Sequence, residues 1–332
     1  MKNLGCQIGS IGLIAALLCA CPAKAADQKA DELHMKAEDM PSDLKVVNNI
    51  VYKQIGEQKL VMMLFPPEVK RTGKSPLVVY IHGGGWAGGD RYKVLRPHIL
   101  NVLRGLSRQG VTCASIDYRL AKPGVATVMD SVADCKDALR FLVNNAERYG
   151  IDPERIAVFG ESAGGHLCLV TALGDEKNYP CDGTITGSPV KVRCVAAFYP
   201  RVSFSDPELL ATQRFPLERV RKDLERILGG PLKEKSEMIE KLSPIRLLRA
   251  DSPAIFIAHG DHDDVLPVSN AIKMRDACVA AGVPVECVIC KGAKHCFDGK
   301  ENDPPDEEIV RRTIAFFLMN LNVAEKTGAG KT

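Results

Sequence analysis

The sequence predicts an α/β fold in which a mostly parallel sheet is covered by helices on both faces. Two observations carry this prediction. Short apolar runs alternate with amphipathic helical patterns across residues 76–321, and this alternation is typical of parallel strands joined by helices. Two of the runs, residues 76–82 and 111–117, are mostly apolar without regular alternation, which indicates strands that are buried on both faces.

The first half of the chain contains the predicted edge of this sheet. Residues 46–55 and 60–65 are predicted strands, with Gly56 in the turn between them. A helix is predicted over residues 96–108, and a longer amphipathic helix over residues 125–149. A glycine follows each helical pattern closely, and glycine is the residue that most readily ends a helix.

The second half continues the alternation and then interrupts it. Strands are predicted over residues 155–159, 190–198, 254–259 and 283–290, and helices over residues 167–173, 269–281 and 307–321. Residues 201–250 break this rhythm, since they contain several prolines and a charged helical stretch at residues 217–228. We expect a small helical cap over the carboxyl edge of the sheet. The alternative is a solvated helix pair without functional consequence.

Composition and charge exclude a nucleic-acid-binding protein. The 332 residues are 45% hydrophobic and 26% charged, with a formal net charge of +3. So small a net charge argues against a nucleic-acid footprint, and this length suits one large α/β domain. We divide the chain into a signal peptide at residues 1–25, a flexible leader at 26–43, one domain at 44–322 and a disordered tail at 323–332.

The first 25 residues resemble an export signal. A positively charged start precedes an uncharged, mostly apolar run at residues 8–20, and residues 23–25 (AKA) fit the pattern of a signal-peptidase site. Residues 18–21 also fit a bacterial lipobox, in which Cys21 would be lipidated. The apolar run is too short for a membrane-spanning helix. We therefore expect an exported protein that is periplasmic, secreted or anchored to a bacterial membrane by a lipid.

Nine cysteines would remain after cleavage at residue 25, and an odd number leaves at least one unpaired within the chain. Cys113, Cys168 and Cys194 lie in apolar runs and are expected to pack as small hydrophobic side chains. Cys287 and Cys290 have the spacing of a metal-binding pair, but on a strand their side chains would point to opposite faces. We expect no metal site and no cofactor.

Residues 160–164 carry the main chemical signal. They read G-E-S-A-G between a predicted strand and a predicted helix. A serine on so sharp a turn is held out at the carboxyl end of the sheet, and the backbone N–H of Ala163 then points at the group that Ser162 attacks. The bare pattern also arises by chance in turns of small residues, so the partners of the serine decide its meaning.

A serine hydroxyl needs a base, and the base needs an acid that orients it. If the chain follows the order serine, acid, histidine, His295 is the only histidine late enough to be the base. The turn after the strand at residues 254–259 offers Asp261, Asp263 and Asp264 as the acid. These residues alone do not choose among the three.

A glycine-rich loop follows the buried strand at residues 76–82. Residues 83–85 are glycines, which let backbone N–H groups approach a substrate and face a developing negative charge. His82 is expected to brace this loop by hydrogen bonding rather than to act as a base. Trp86 is expected to form a wall of the acyl pocket, and packing beneath the loop is the alternative.

Five motifs together resemble a known family. They are residues 82–86 (HGGGW), 117–120 (DYRL), 149–156 (YGIDPERI), 160–167 (GESAGGHL) and 259–267 (HGDHDDVLP). Over about residues 45–320 the chain resembles the α/β-hydrolase superfamily, on the branch of hormone-sensitive-lipase-like and bacterial feruloyl or acetyl esterases. The resemblance implies Asp263 as the acid, because in related sequences the acid stands four positions before the proline of the last motif. It implies Gly84 and Gly85 as oxyanion donors beside Ala163, with Gly83 as a weaker candidate.

The resemblance implies a carboxylic ester hydrolase that works through an acyl-enzyme. The polar pattern of residues 217–228 argues against long lipid chains, so we expect short acyl esters, foremost the acetyl groups of plant-polysaccharide oligosaccharides. The alternatives are a feruloyl esterase, a serine peptidase of the same fold and a catalytically silent binding protein. A dinucleotide oxidoreductase fits residues 83–88 as G-x-G-x-x-G, but the next helix begins too late to bind a pyrophosphate. The sequence does not give the oligomeric state or a role for Cys296.

Overall fold

The computed structural model describes residues 36–69, 72–179, 185–187, 189–299 and 301–324. These residues belong to one compact unit. The expected signal peptide, the lipidation site at Cys21, Cys181 and all but the first two residues of the expected tail lie outside them. Within the described residues, every helix is too short or too polar to span a bilayer.

A sheet of eight strands forms the centre of the described structure. The strands are β1 (Val47–Ile55), β2 (Gln58–Phe65), β3 (Ser75–Ile81), β4 (Thr112–Ile116), β5 (Ile151–Glu161), β6 (Val192–Phe198), β7 (Ala254–Gly260) and β8 (Val285–Cys290). Their lateral order is β1-β2-β4-β3-β5-β6-β7-β8. The β1–β2 and β2–β4 pairs are antiparallel, and the other five pairs are parallel. The predicted α/β class with a mostly parallel sheet is confirmed.

Nine helices surround this sheet in the described residues. They are α1 (Pro97–Arg108), α2 (Val128–Asn144), α3 (Ala146–Tyr149), α4 (Ala163–Leu173), α5 (Pro207–Leu210), α6 (Leu217–Leu228), α7 (Ser236–Lys241), α8 (Ser269–Ala280) and α9 (Asp306–Asn320). The single helix predicted over residues 125–149 is divided into α2 and α3. The break lies at Asn145, whose φ of −107° and ψ of 21° are not helical.

Two hydrophobic layers cover the two faces of the sheet. Because side chains alternate along a strand, β3 contributes to both: Val79 packs with apolar residues of α2, α4 and α8, and Tyr80 packs with those of α1 and α9. All seven residues of β3 are buried, as the continuous apolar run predicted. Cys287 and Cys290 belong to different layers, which confirms that they lie on opposite faces. No disulfide joins two of the eight described cysteines.

A buried ion-pair cluster joins β1 to α2. Lys53 Nζ lies 2.7 Å from Asp134 Oδ1 and 2.6 Å from Asp137 Oδ2. Arg140 bridges Asp137 and Glu176. Every charge in this cluster therefore has an opposite charge beside it, which offsets the cost of removing it from water.

Residues 201–250 leave the sheet between β6 and β7 and contain α5, α6 and α7. We call this segment the cap. One face of α6 is buried through Val220, Leu224 and Ile227, while its charged residues remain largely exposed. Thr212 Oγ1 donates to the backbone oxygen of Asp264 at 2.6 Å. The cap is thereby attached to the turn after β7, at the carboxyl edge of the sheet.

Candidate active site

Ser162 forms a sharp turn between strand and helix. β5 ends at Glu161 and α4 begins at Ala163, so one residue reverses the direction of the chain. Ser162 has a φ of 54° and a ψ of −121°, a strained conformation that clusters at functional sites. Its N–H donates to the backbone oxygen of Phe198 on β6 at 2.9 Å. The turn is therefore tied to the neighbouring strand.

The glycines around this turn are required by close backbone contacts. A Cβ atom on Gly160 would lie 2.2 Å from the oxygen of Gly164. A Cβ atom on Gly164 would lie 2.0 Å from the oxygen of Ile81, which ends β3. Such distances leave no room for a side chain. Small residues are therefore required on both sides of Ser162 for a steric reason.

The structure brings Ser162, His295 and Asp263 into one hydrogen-bonded line. His295 Nε2 lies 3.1 Å from Ser162 Oγ, and His295 Nδ1 lies 2.7 Å from Asp263 Oδ2. The other carboxylate oxygen, Asp263 Oδ1, accepts the N–H groups of Val265 and Leu266 at 2.8 and 2.9 Å. These two bonds fix the orientation of the carboxylate toward the histidine.

Electrostatics keep Asp263 ionised. Burial opposes its ionisation, but hydrogen bonds from His259 and His295 outweigh burial and hold the pKa of Asp263 well below its usual range. His259 Nε2 is the donor, because it lies 3.2 Å from Asp263 Oδ2 and 3.0 Å from the oxygen of Leu266, both acceptors. The sequence analysis gave no role to His259. Its position at the end of β7, four residues before Asp263, could have predicted this contact.

The three aspartates of the turn after β7 have different partners. Asp261 Oδ1 accepts the N–H of Gly292 at 2.8 Å. Asp264 Oδ2 lies 3.4 Å from Arg214 Nη1 of the cap, and the side chain of Asp264 is 46% exposed. Only the carboxylate of Asp263 contacts His295. The geometry therefore favours Asp263 as the acid, as the family resemblance implied.

Three backbone amides of the nucleophile turn and the glycine loop lack an acceptor in the described part of the chain. The N–H groups of Gly84, Gly85 and Ala163 have no hydrogen-bond acceptor among the described residues. Gly83 differs, since its N–H donates to Glu161 Oε1 at 3.1 Å. The weaker expectation that Gly83 is an oxyanion donor is therefore wrong, because its amide is already bound. Gly84 and Gly85 have φ values of 127° and 59°, which glycine adopts readily.

His82 braces this loop. Its ring stacks on Tyr118 with the ring centroids 4.3 Å apart, and its Nδ1 donates to the oxygen of Gly83 at 2.8 Å. The hydroxyl of Tyr118 donates to the oxygen of His82 at 2.8 Å. Burial lowers the pKa of His82 to about 4, so the ring is neutral at pH 7. These contacts fit the bracing role that the sequence predicted.

Trp86 joins the glycine loop to α4 and to the cap. Its Nε1 donates to His166 Nδ1 at 3.0 Å, so His166 carries its own proton on Nε2 and donates it to the oxygen of Leu242 at 2.7 Å. Burial lowers the pKa of His166 to about 3. The indole meets Phe204 edge-on at 5.4 Å and is 7% exposed. Trp86 thus packs beneath the loop, and its role as a pocket wall stays a prediction.

Sequence reasoning missed the buried carboxylate directly before the nucleophile. Glu161 is 1% exposed, and its Oε2 accepts from Tyr199 at 3.1 Å and from Arg96 at 3.3 Å. Burial opposes ionisation, but the positive charge of Arg96 outweighs it and lowers the pKa of Glu161 to about 2. Because its Oε1 also binds the N–H of Gly83, Glu161 links the nucleophile turn to the glycine loop. The sequence feature that could have identified Glu161 is an acidic residue at the end of an apolar strand.

Arg96 extends this network to the loop that carries His295. Its Nη1 lies 3.3 Å from Cys296 Sγ. Cys296 has a φ of 64°, and Tyr199 packs edge-on against the ring of His295 with the centroids 4.6 Å apart. Cys296, to which the sequence analysis assigned no role, therefore helps to hold the loop of His295 against the nucleophile turn.

Comparisons with known proteins support this geometry. The BD-FAE family profile matches residues 62–277. The chain is 30% identical to esterase LipC of Mycobacterium tuberculosis over 254 residues, which cover 74% of this chain and 59% of LipC. It is 28% identical over 227 residues to the probable carboxylic ester hydrolase LipM of the same organism, which cover 67% of this chain and 49% of LipM. The chain spans only about half to three fifths of the length of these relatives.

Solved structures extend the similarity to the whole sheet. The butyrate-bound form of Est2, an esterase of Thermogutta terrifontis, matches with a TM-score of 0.65 and 25% sequence identity. The match covers 86% of this chain and 96% of that chain. The predicted α/β-hydrolase fold is confirmed.

Proposed function

The chain belongs to the BD-FAE family, and on that premise we propose that it is a serine carboxylic-ester hydrolase acting on short-chain acyl esters. The observation that carries this proposal is the hydrogen-bonded line from Asp263 through His295 to Ser162 Oγ. The named esterase activity of its relatives LipC and Est2 supports the reaction class.

The first half of the proposed reaction forms an acyl-enzyme. Ser162 Oγ attacks the carbonyl carbon of the ester while His295 Nε2 takes the hydroxyl proton. Asp263 stabilises the imidazolium that results. The carbonyl oxygen becomes negative and is bound by the N–H groups of Gly84, Gly85 and Ala163. His295 then gives its proton to the leaving oxygen, the carbon–oxygen bond to the alcohol breaks, and the acyl group remains on Ser162.

The second half releases the acid. Water enters where the alcohol left, and His295 Nε2 takes one of its protons as its oxygen attacks the acyl carbon. The tetrahedral intermediate again places its negative oxygen at the free amides. His295 returns the proton to Ser162 Oγ as the ester bond to the enzyme breaks. Each half moves one proton through the same imidazole, first from Ser162 to the alcohol and then from water to Ser162, and the steps require no metal and no cofactor.

We propose acetyl and other short acyl groups, carried on plant-polysaccharide oligosaccharides, as the substrates. Besides four apolar residues and Ser205, a depression of about 490 Å³ in the cap is lined by five charged side chains, which can contact the polar groups of an oligosaccharide. These side chains are Glu218, Arg221, Lys222, Glu225 and Lys233. The binding of butyrate by Est2 supports a short acyl group.

We also propose that the protein is exported, on the basis of residues 1–25 alone. Either cleavage after Ala25 or lipidation of Cys21 would follow. The intact mass of the exported protein distinguishes a chain that begins at Ala26 from one that begins at a lipidated cysteine. Recovery of unprocessed protein from the cytoplasm would contradict both outcomes.

Replacement of the nucleophile tests the mechanism. Ser162→Ala should fold as the wild type does and lose hydrolysis of 4-nitrophenyl acetate by about a million-fold. Ser236→Ala, at an exposed position of α7, is the matched control and should keep wild-type kcat. Circular dichroism of each variant verifies the fold. Substantial turnover by Ser162→Ala, or inhibition of the wild type by a chelator alone, would defeat the scheme.

A panel of esters tests the substrate. We expect kcat/KM to peak between acetyl and butyryl esters and to fall by octanoyl. A peak at decanoyl would indicate a lipase-like enzyme, and activity on feruloyl but not acetyl esters would indicate a feruloyl esterase. Preference for an aminoacyl-4-nitroanilide would indicate a peptidase. Acetylated xylo-oligosaccharides in the same panel test the proposed alcohol portion.

A further inference from the structure

Arg201 is a buried cation without a carboxylate beside it. Its side chain is 5% exposed, its Nη1 donates to the oxygen of Leu209 at 3.4 Å, and its buried Nε has no hydrogen-bond partner among the described residues. The other buried cations, Lys53, Lys136 and Arg140, each form an ion pair. Because an unpaired buried charge is costly, the exception calls for a physical explanation.

The position of Arg201 is at the carboxyl edge of the sheet, beside the proposed active site. It follows β6, three residues after Phe198, whose oxygen accepts the N–H of Ser162. The oxygen of Leu209, which Arg201 binds, also accepts from Asn270 Nδ2 at 2.9 Å. Asn270 lies in the first turn of α8, the helix that follows the turn of the proposed catalytic acid. Arg201 is therefore linked, through the oxygen of Leu209 in α5, to the helix that follows the acid turn.

Nearby negative charge offsets only part of the cost of burying the positive charge of Arg201. Burial lowers the pKa of Arg201 to about 10, and the negative charge of Asp223 on α6 opposes this effect. No carboxylate of the described residues lies within ion-pair distance of the guanidinium. The positive charge reaches His166 in the first turn of α4, where it adds to the effect of burial in lowering the pKa of that ring. The guanidinium therefore acts on the helix that follows the nucleophile.

We propose that Arg201 binds a carboxylate of the ester substrate. A guanidinium presents two parallel N–H groups along one edge, and these match the two oxygens of a carboxylate. The edge formed by Nε and Nη2 of Arg201 has no protein acceptor among the described residues. The inference rests on the proposed esterase function and adds a substrate class, which is esters that carry a carboxylate in the acyl or the alcohol portion, such as acidic oligosaccharides.

Two pairs of esters locate the carboxylate. 4-Acetoxybenzoate and its methyl ester differ by a charge on the alcohol portion, and mono(4-nitrophenyl) succinate and its methyl ester differ by a charge on the acyl portion. In the wild type, after subtraction of spontaneous hydrolysis, kcat/KM should be at least about tenfold higher for the carboxylate in one pair. Arg201→Met should lower that ratio by about 10- to 100-fold and leave the neutral ester within about twofold.

Arg226→Met is the matched control, because it removes the same charge from an exposed position of α6. It should keep the wild-type preference. The inference would be overturned if the wild type had equal kcat/KM for charged and neutral esters, or if its preference survived Arg201→Met. In either case, hydrolysis of the neutral esters would still support the esterase function. No hydrolysis of any ester by the wild type would overturn both. If Arg201→Met does not fold, the wild-type ratio decides, and Arg201→Lys should retain only part of it.

Discussion

The floor of the proposed active site and the cap differ in how their buried polar groups are paired. By the floor we mean the nucleophile turn, the glycine loop at residues 82–86 and the loop that carries His295. In the floor, Glu161 and Asp263 are buried and each accepts several hydrogen bonds. In the cap, most charges are exposed, and the buried Arg201 has no acid beside it among the described residues. A buried polar network in which every group is paired holds its side chains in one geometry. We infer that the floor fixes the positions of the reacting groups and that the cap determines which substrates bind.

Among the partners of Ser162, the largest expected effect comes from the acid of the floor. Asp263→Asn should lower kcat by about ten thousand-fold, because an amide hydrogen-bonded to Nδ1 stabilises the wrong tautomer of His295. Asp264→Asn is the control from the same turn, and it should stay near wild type since its carboxylate faces Arg214 of the cap. Steady-state kinetics on 4-nitrophenyl acetate measure both. An inactive Asp264→Asn beside an active Asp263→Asn would reverse the assignment.

The next effect concerns the carboxylate that positions the glycine loop. Glu161→Gln should lower kcat by about 100- to 1000-fold, the cost of losing one oxyanion donor, with little change in KM. The reason is that a neutral amide would remove the negative charge beside Arg96 and weaken the bond to the N–H of Gly83. Glu240→Gln, at an exposed cap position, should leave kcat unchanged. A rise in KM with unchanged kcat would show that Glu161 serves binding instead.

Acidic pH should lower the free energy of unfolding, because Glu161 in the floor becomes protonated. The pKa of Glu161 is lowered to about 2 in the folded protein, against about 4.3 for an unfolded glutamate. A lowered folded pKa gives stability that is present above the unfolded value and lost as pH falls through the folded value. We expect Glu161 to contribute on the order of 3 kcal/mol at pH 7, which disappears between about pH 5 and pH 2.

Urea unfolding of the wild type and Glu161→Gln at several pH values measures this contribution. The difference in the free energy of unfolding between the two proteins should shrink as pH falls from about 6 to 3. The lowered pKa of Asp263 acts in the same direction in both proteins. A difference that stays constant with pH would mean that Glu161 is not held ionised in the folded state.

The smallest effect is expected on the outer surface of the cap. Arg246 and Glu240 lie 3.9 Å apart in the cap, with 60% and 58% of their side chains exposed. Replacing either by alanine should change the free energy of unfolding by no more than about 0.5 kcal/mol and leave kcat on neutral esters unchanged. Thermal unfolding and the same kinetic assay measure these effects. A large loss of kcat would break the division of roles between floor and cap.

Local sequence patterns were enough for much of the fold and for part of the proposed site. Apolar runs predicted the strands, and G-E-S-A-G between a strand and a helix singled out Ser162. Chain order alone selected His295. The division of the helix at Asn145 was not predicted, because the amphipathic pattern continues across this residue although its backbone angles are not helical.

What the sequence by itself determined is the set of groups able to react and the order in which strands and helices follow one another, because side-chain periodicity and turn chemistry act over a few residues. Only the tertiary structure decided which partner each group meets. His295 meets Ser162 across 133 positions and Asp263 across 32, and the N–H of Gly83 meets Glu161 across 78. The same packing left Arg201 without a carboxylate beside it in the described part of the chain. Such pairings depend on how the sheet brings distant segments to one edge, which no local pattern encodes.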